Sequence, residues 1–315
     1  MSTTASGFPD DPEAEYRAAE ERLLAHYGLT RTERFVELPT EGTRLHVIEV
    51  PGDDRVPVLL LHGMAAVTAA AIPLIPAFGG RRVIAPDWPA HGLSGPATLT
   101  PDELRSAPVR WIDAVLDDAG VERAHLVAHS MGAQFSLYDA LARPDRVASL
   151  TILGAPGAAF PGMTFPIGFR LMAIPGLRSL VFRPVSREQY GRNSALTLGP
   201  GAVDPWPREL VDVGWLASLR PEFRETARVL VRAFSTNWGV RRDARLTDAE
   251  LASLRVPVLA LLGDRDVFLT PERARASLDR IPGSRTVVVA GGHAPWLNRP
   301  EESAATVSGF LDALP

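Results

Sequence analysis

The chain has 315 residues, of which 46% are hydrophobic, and its formal net charge is −4. This composition suits a large apolar core, and an acidic balance without a basic cluster argues against nucleic acid or an anionic membrane as a partner. Cysteine and lysine are both absent, which excludes a disulfide framework, a thiolate metal site and lysine-based Schiff-base chemistry.

The first 30 residues are predicted to form an amino-terminal extension with a charged helix at 13–27. Residues 1–12 contain neither a positive region nor an apolar core, so no signal peptide is expected. No uninterrupted apolar stretch reaches the roughly 18 residues that a membrane-spanning helix needs. We therefore expect a cytoplasmic protein.

Strands and helices alternate along most of the remaining chain. Apolar runs predict strands at 33–38, 43–50, 57–61, 82–86, 124–128, 147–153, 256–262 and 285–290. Helical periodicity predicts helices at 101–119, 131–142, 271–280 and 300–313. Such alternation is typical of a mostly parallel sheet with helices on both faces. The strand at 43–50 alternates apolar and polar residues, which predicts a half-exposed antiparallel edge.

The alternation stops between residues 156 and 245. This stretch has no clear strand, is divided by Pro-Gly turns and contains ten of the 22 aromatic residues. We predict a helical cap at 156–245, inserted into a core made of 31–155 and 246–315. Most of the aromatic side chains are expected to fasten the cap to the core, and some to line an apolar pocket. The candidates for that lining are Phe165, Trp206 and Trp215.

A serine stands at the tip of a predicted strand–turn–helix. The apolar strand ends at Ala128 and His129, Ser130 follows, and Gly132 comes two positions later as a helical pattern begins. A sharp turn of this kind, the nucleophile elbow, projects the serine Oγ clear of the sheet. The usual pattern is Gly-x-Ser-x-Gly, and here alanine replaces the first glycine. Alone, the motif also fits a serine that caps a helix.

A base and an acid for this serine are found downstream. Of seven histidines, His293 alone follows Ser130, and it lies on a loop after the last predicted strand. A loop histidine there can act as general base, the alternative being an ordinary surface histidine. Asp264 and Asp266 both follow the preceding strand. We favour Asp266 because it lies further past the strand, which leaves Asp264 as a turn residue or helix cap.

An oxyanion hole is predicted from two backbone N–H groups. One belongs to Met131, directly after the serine, and the other to Met64, on the loop after the strand at 57–61. Gly63 lets the backbone approach a substrate closely. The neighbouring His62 is expected to be structural rather than catalytic.

These motifs together resemble the α/β-hydrolase superfamily. The residues that carry the resemblance lie at 62–63, 86–94, 128–132, 263–266 and 292–293, and the likeness extends over nearly the whole chain. It implies an eight-stranded, mostly parallel sheet flanked by helices, with an inserted helical cap. It is more specific for the fold than for the substrate, because one fold supports many chemistries.

The resemblance implies a carboxylesterase-like hydrolase with Ser130 as nucleophile, His293 as base and Asp266 as its partner. The expected substrate is an ester, lactone or thioester of a small apolar molecule, cleaved without metal or organic cofactor. The serine separates the chain from haloalkane dehalogenases and epoxide hydrolases, which use aspartate at the elbow. Carbon–carbon bond hydrolases, lyases, biosynthetic tailoring enzymes and a non-catalytic ligand-binding protein stay open as alternatives. A homodimer is compatible with the sequence.

Overall fold

A computed structural model of the protein describes residues 8–164, 183–199, 206–236 and 239–314. The strands of its main sheet are β1 (Thr32–Leu38), β2 (Thr43–Val50), β3 (Asp53–Leu61), β4 (Arg81–Pro86), β5 (Ala124–His129), β6 (Val147–Leu153), β9 (Val258–Gly263) and β10 (Arg285–Val289). A separate antiparallel pair consists of β7 (Ser235–Thr236) and β8 (Gly239–Val240).

The strands of the main sheet lie in the order β1-β2-β4-β3-β5-β6-β9-β10. The pairs β1–β2 and β2–β4 are antiparallel, and every other pair in this sheet is parallel. The predicted eight-stranded, mostly parallel sheet is therefore confirmed. The central strands β5, β6 and β9 are buried along their whole length, which explains their uninterrupted apolar sequences.

Helices cover both faces of the sheet. They are α1 (Pro12–His26), α2 (Ser106–Asp118), α3 (Met131–Ala142), α4 (Arg187–Leu198), α5 (Arg208–Leu219), α6 (Pro221–Phe234), α7 (Asp248–Ser253), α8 (Pro271–Leu278), α9 (Pro295–Asn298) and α10 (Pro300–Asp312). Short 3₁₀ helices lie at Thr68–Phe78, Pro101–Glu103 and Pro144–Arg146. None of the helices in the described ranges has the length and apolar character needed to cross a membrane.

Two details of the predicted sheet are wrong. The strand at 43–50 was expected at the edge, but β2 pairs on both sides and the edge belongs to β1. Leu45 to Ile48 are all buried, because apolar groups pack against both faces of β2. The stretch 156–245 also contains the pair β7–β8. A pairing of two residues per strand is too short to leave a periodic pattern in the sequence.

The predicted division into extension, core and cap stays a prediction. Within 156–245, the described helices are α4, α5 and α6, while 165–182, 200–205 and 237–238 lie outside the described residues. Helix α1 of the predicted extension packs against α5 in a shared apolar cluster. This contact joins the amino-terminal helix to the helices that follow β6.

Candidate active site

Ser130 occupies a strained turn between β5 and α3. Its φ of 53° and ψ of −114° lie in a region of backbone conformation that residues other than glycine rarely adopt. The side chain makes no capping hydrogen bond to the helix that it precedes. Ser130 therefore differs from an ordinary helix cap, and the turn has the backbone strain expected of a nucleophile elbow.

Close packing explains the small residues around this turn. A Cβ atom at Gly132 would lie 2.6 Å from the carbonyl oxygen of Leu61, because α3 begins directly over the end of β3. A Cβ at Gly63 would lie 3.0 Å from the Ser130 Cβ. Ala128, which replaces the usual first glycine, is fully buried, so the site accommodates its methyl group.

Asp266 holds His293 in one orientation. The Nδ1 atom of His293 lies 2.8 Å from Asp266 Oδ2, which also accepts the N–H of Ala155 at 2.9 Å. The other carboxylate oxygen accepts the N–H of Phe268 at 2.9 Å. Burial by itself would raise the pKa of Asp266, but His293 and these N–H groups hold it below the ordinary value. Asp266 is thus an ionised hydrogen-bond acceptor at neutral pH.

Asp264, the alternative acid, points elsewhere. Its Oδ1 accepts the N–H of Gly291 at 2.8 Å and lies 3.3 Å from the Arg265 guanidinium. The bond from Gly291 lowers the pKa of this exposed carboxyl. The structure therefore brings Asp266 to His293 and leaves Asp264 as a turn residue.

Ser130 and His293 line the same cavity. Since His293 Nδ1–H donates to the carboxylate, the lone pair of the imidazole is on Nε2. An imidazole in this tautomer can accept a proton from a serine hydroxyl. The sequence placed both residues on loops at the carboxyl ends of strands, and the parallel sheet brings those ends together.

The two residues whose N–H groups are predicted to form an oxyanion hole, Met64 and Met131, also line the cavity. Met131 is the first residue of α3, so its N–H has no acceptor within the helix, and Met64 lies on the loop after β3. Among the described residues, neither group donates to a protein acceptor. The next N–H along the loop, that of Ala65, is used by the His91 Nε2 atom at 3.3 Å. Among the described residues, the N–H of Met64 is therefore available to a substrate where that of Ala65 is not.

His62 and His91 support this loop rather than the chemistry. His62 Nε2 accepts the N–H of Trp88 at 2.9 Å, and its Nδ1 donates to the carbonyl of Gly63 at 2.8 Å. His91 Nδ1 donates to the carbonyl of Pro89 at 3.0 Å. Burial lowers the pKa of His62, and burial together with His62 lowers that of His91 to about 3. Both imidazoles are neutral, with both ring nitrogens occupied.

His129 is a site residue that the sequence analysis missed. Its Nε2 lies 3.0 Å from the carbonyl oxygen of His293, to which it donates. Its ring packs against those of His293 and Trp296, with centroids 4.6 and 4.7 Å away. Burial places its pKa well below the ordinary value, so the ring is neutral. Position 129 is the variable position of the elbow motif, so the pattern itself carried no signal for this contact.

The cavity above Ser130 has a volume of about 400 Å³ and a largely apolar wall. That volume lies within the range of pockets for small molecules. Apolar side chains that line it include Met64, Val67, Met131, Phe223, Phe234 and Phe268. Phe268 also packs on the His293 ring with a centroid distance of 4.4 Å. It follows Asp266 in the core, outside the stretch where aromatic lining residues were expected.

The named aromatic candidates for the lining are not supported. Trp206 and Trp215 are absent from the described wall of the cavity. Their indole N–H groups instead donate to backbone carbonyls, that of Trp206 to Leu297 at 2.9 Å and that of Trp215 to Val185 at 2.9 Å. A buried indole needs such an acceptor, which orients the ring toward the protein. Phe165 lies outside the described residues.

In the described part of the chain, no group of three histidine, aspartate or glutamate side chains is arranged to hold a metal ion. The predicted reaction centre at the cavity consists of a strained serine, a carboxylate-bound histidine and the N–H groups of Met64 and Met131. Together with the sheet, these groups define the class of protein. Residues 56–300 match the family model for the α/β-hydrolase fold, and the chain belongs to that family.

Relatives within the family are hydrolases of several kinds. The chain is 29% identical to epoxide hydrolase A of Mycobacterium tuberculosis, covering 90% of this chain and 98% of that protein. It is 26% identical to 2-hydroxymuconate semialdehyde hydrolase of Pseudomonas putida, covering 81% and 86%. The crystal structure of carboxylesterase CesB from Bacillus subtilis superposes with a TM-score of 0.73 at 20% identity, covering 95% and 98%. Hydrolase is the class that these relatives share.

Proposed function

We propose that the protein is a serine hydrolase that cleaves an ester, lactone or thioester of a small, largely apolar molecule through an acyl-enzyme. The observation that carries this proposal is the joint presence, around one cavity, of strained Ser130 and of His293 bonded to Asp266. A carboxylesterase of Bacillus subtilis, 25% identical over 88% of this chain, is among its relatives.

Each group has a definite role in this mechanism. His293 Nε2 accepts the proton of Ser130 as Oγ attacks the carbonyl carbon, and Asp266 stabilises the resulting imidazolium. The N–H groups of Met64 and Met131 stabilise the tetrahedral oxyanion. His293 then returns the proton to the leaving group. A water molecule activated by the same imidazole cleaves the acyl-enzyme and releases the acid.

The serine also bears on which relative is the better guide. Epoxide hydrolases use aspartate at the elbow, where this chain has Ser130. The carbon–carbon bond hydrolases share the serine arrangement, so the 2-hydroxymuconate semialdehyde hydrolase relative suggests the main alternative substrate class. The largely apolar cavity suits either kind of substrate.

A series of p-nitrophenyl esters from acetate to dodecanoate, combined with a fluorophosphonate label, tests the proposal. We expect the wild-type protein to be labelled at Ser130, and Ser130→Ala to lower turnover by about 10³-fold or more. Ser218→Ala is a matched control. Ser218 lines the same cavity, but its hydroxyl donates to the Trp215 carbonyl at 2.6 Å. This variant should keep both labelling and turnover.

The outcomes separate the alternatives. Wild-type turnover in Ser130→Ala would disprove the acyl-enzyme route. Labelling at Ser130 without ester turnover would favour a more specialised bond, such as the carbon–carbon bond of the alternative class. If neither labelling nor turnover occurred, a ligand-binding protein would become the better explanation.

A further inference from the structure

Helix α4 turns its polar side toward the cavity. The residues of α4 that line the cavity with polar side chains are Tyr190, Asn193, Ser194 and Thr197. Their spacing of three, four and seven positions places them on one face of the helix. Leu196, on another face, has 79% of its surface exposed to solvent. Leu198 of the same helix also lines the cavity, so the cavity-facing side of α4 combines four polar side chains with one apolar one.

The polar stripe, defined as these four residues of α4, faces a largely apolar cavity, whose other polar lining residues include Gln134 and Ser218. Aliphatic and aromatic side chains such as Val67, Leu210 and Phe234 also line the cavity. Arg183 is the permanently charged side chain among the described lining residues, and it is exposed to solvent. The stripe is therefore uncharged, which suits uncharged oxygen atoms better than a carboxylate or phosphate.

The stripe keeps unused hydrogen-bonding capacity. Asn193 is exposed at the cavity mouth; its Oδ1 accepts from Gln189 at 2.7 Å, and in the described part of the chain its amide N–H₂ has no acceptor. The Thr197 hydroxyl likewise has no partner among the described residues. Tyr190 and Ser194 bond to each other, and each hydroxyl can accept a further bond. A purely alkyl chain against this wall would displace water from these groups without replacing its hydrogen bonds.

The position of the stripe relates it to the reacting carbon. The carboxyl end of α4 is bonded to the loop that carries the candidate base, since Ala294 N–H donates to the Leu198 carbonyl at 3.2 Å. Thr197 directly precedes this junction. With a helical rise of about 1.5 Å per residue, Asn193 lies about 6 Å further along the axis and Tyr190 about 10 Å further. The stripe thus runs away from the catalytic centre as a substrate chain would.

We propose that the polar stripe selects substrates whose chain carries uncharged oxygen atoms, such as ether, keto or hydroxyl groups, along one edge. The opposite edge of the chain packs on the apolar wall. The preferred class is therefore an oxygenated aliphatic ester or lactone rather than a simple fatty acyl ester. This inference rests on the proposed function, because it takes the scissile bond to lie at Ser130.

Three p-nitrophenyl esters of equal chain length test the stripe: heptanoate, 3-propoxypropanoate and 5-methoxypentanoate. The two ethers place one oxygen near to or far from the scissile bond. Turnover is measured as kcat/KM for the wild type and for Thr197→Val, Asn193→Leu and the outward-facing control Leu196→Ala. Binding of the corresponding p-nitroanilides to Ser130→Ala, alone and combined with the stripe variants, gives a second measurement that needs no hydrolysis.

We expect the wild type to favour at least one ether over the heptanoate. Thr197→Val and Asn193→Leu should each lower the ether-to-alkyl ratio by about three- to tenfold, the value of a neutral hydrogen bond. Leu196→Ala should leave the ratio unchanged. An ether preference in anilide binding without ester turnover would support the stripe and disprove the proposed hydrolysis. The proposed selectivity of the stripe would be overturned if the stripe variants left the ether-to-alkyl ratio unchanged, or if no anilide bound.

Discussion

The polar groups at the floor of the cavity, formed by the strand ends, and those at its roof, formed by α4, differ in how completely they are hydrogen-bonded. In the floor, at the strand ends, Asp266 accepts three hydrogen bonds and the neutral imidazoles of His62 and His91 have both nitrogens occupied. In the roof, on α4, Asn193 and Thr197 face the cavity with bonding capacity to spare. Apart from the N–H groups of Met64 and Met131, these floor groups are satisfied before a substrate arrives, which holds one catalytic geometry. A roof that is not yet satisfied can discriminate between substrates.

Replacing the acid of the floor should have the largest effect. Asp266→Asn is expected to lower kcat by about 10³- to 10⁴-fold, because an amide neither stabilises the imidazolium nor fixes the same tautomer. Asp264→Asn, the matched control on the same turn, should change kcat only a few-fold. Steady-state kinetics on one short ester, with melting curves to confirm folding, provide the comparison. A greater loss in Asp264→Asn would show that the wrong carboxylate has been assigned.

His129 should act on the reaction through His293. His129→Phe keeps a ring beside Trp296 but removes the N–H that holds the His293 carbonyl. We expect kcat to fall about ten- to hundredfold through misplacement of the base, with KM nearly constant. His129→Asn, whose amide can still donate, should recover part of the loss. Equal effects of the two variants, or a change confined to KM, would contradict a positioning role.

Replacing the indole of Trp215, on helix α5 beside the roof, should change stability rather than catalysis. Trp215→Phe removes the hydrogen bond to the Val185 carbonyl and some buried ring volume. The free energy of unfolding should fall by about 1–2 kcal/mol, as measured by urea denaturation. Turnover of a short ester should stay within about twofold. A shifted chain-length optimum would instead place Trp215 at the substrate.

Of these substitutions, replacement of Asp139 should affect catalysis least. Asp139 lies on α3, far along the helix from Ser130. This carboxyl is buried, and no described residue hydrogen-bonds its side-chain oxygens. Burial and the charge of Asp113 raise its pKa to about 8. Between pH of about 4 and 8 the unfolded chain has lost a proton that the folded chain retains, so stability falls as pH rises through this window.

Asp139→Asn should remove that dependence. We expect the variant to gain in Tm over the wild type, by more at pH 8 than at pH 5, while turnover stays within about twofold. Thermal melts at both pH values give the measurement. A Tm difference that is the same at both would mean that Asp139 does not titrate in this window.

The floor could be predicted because steric and periodic constraints are local. Buried parallel strands leave continuous apolar runs, and the elbow needs small residues wherever the helix crosses the strand, as Gly132 illustrates. In α/β-hydrolases the serine, the acid and the histidine follow one another in that order along the chain, which left few candidates for the base and the acid. Two aspartates stood beside the strand end, and the structure shows which one approaches His293.

The rest could not be predicted because it depends on contacts between distant segments. The edge position of β1 follows from strand order, which no single strand encodes. The contact of His129 with the His293 carbonyl joins residues 164 positions apart. In the stretch 156–245, abundant aromatic residues predicted an aromatic-lined pocket, but Trp206 and Trp215 are absent from its described wall and donate their indole N–H groups to distant backbone carbonyls.

Gly199 and Gly292 meet where the roof joins the floor, and a Cβ at Gly199 would lie 2.6 Å from the Gly292 nitrogen. Raising α4 to admit a substrate would therefore pull on the backbone next to His293. We predict that Gly199→Ala, which forces these backbones apart, slows turnover of short and long esters alike, and a loss limited to long esters would contradict this. A movement of α4 that admits the substrate would then also displace His293. The base would be aligned with Ser130 only after α4 had returned to its position over the substrate.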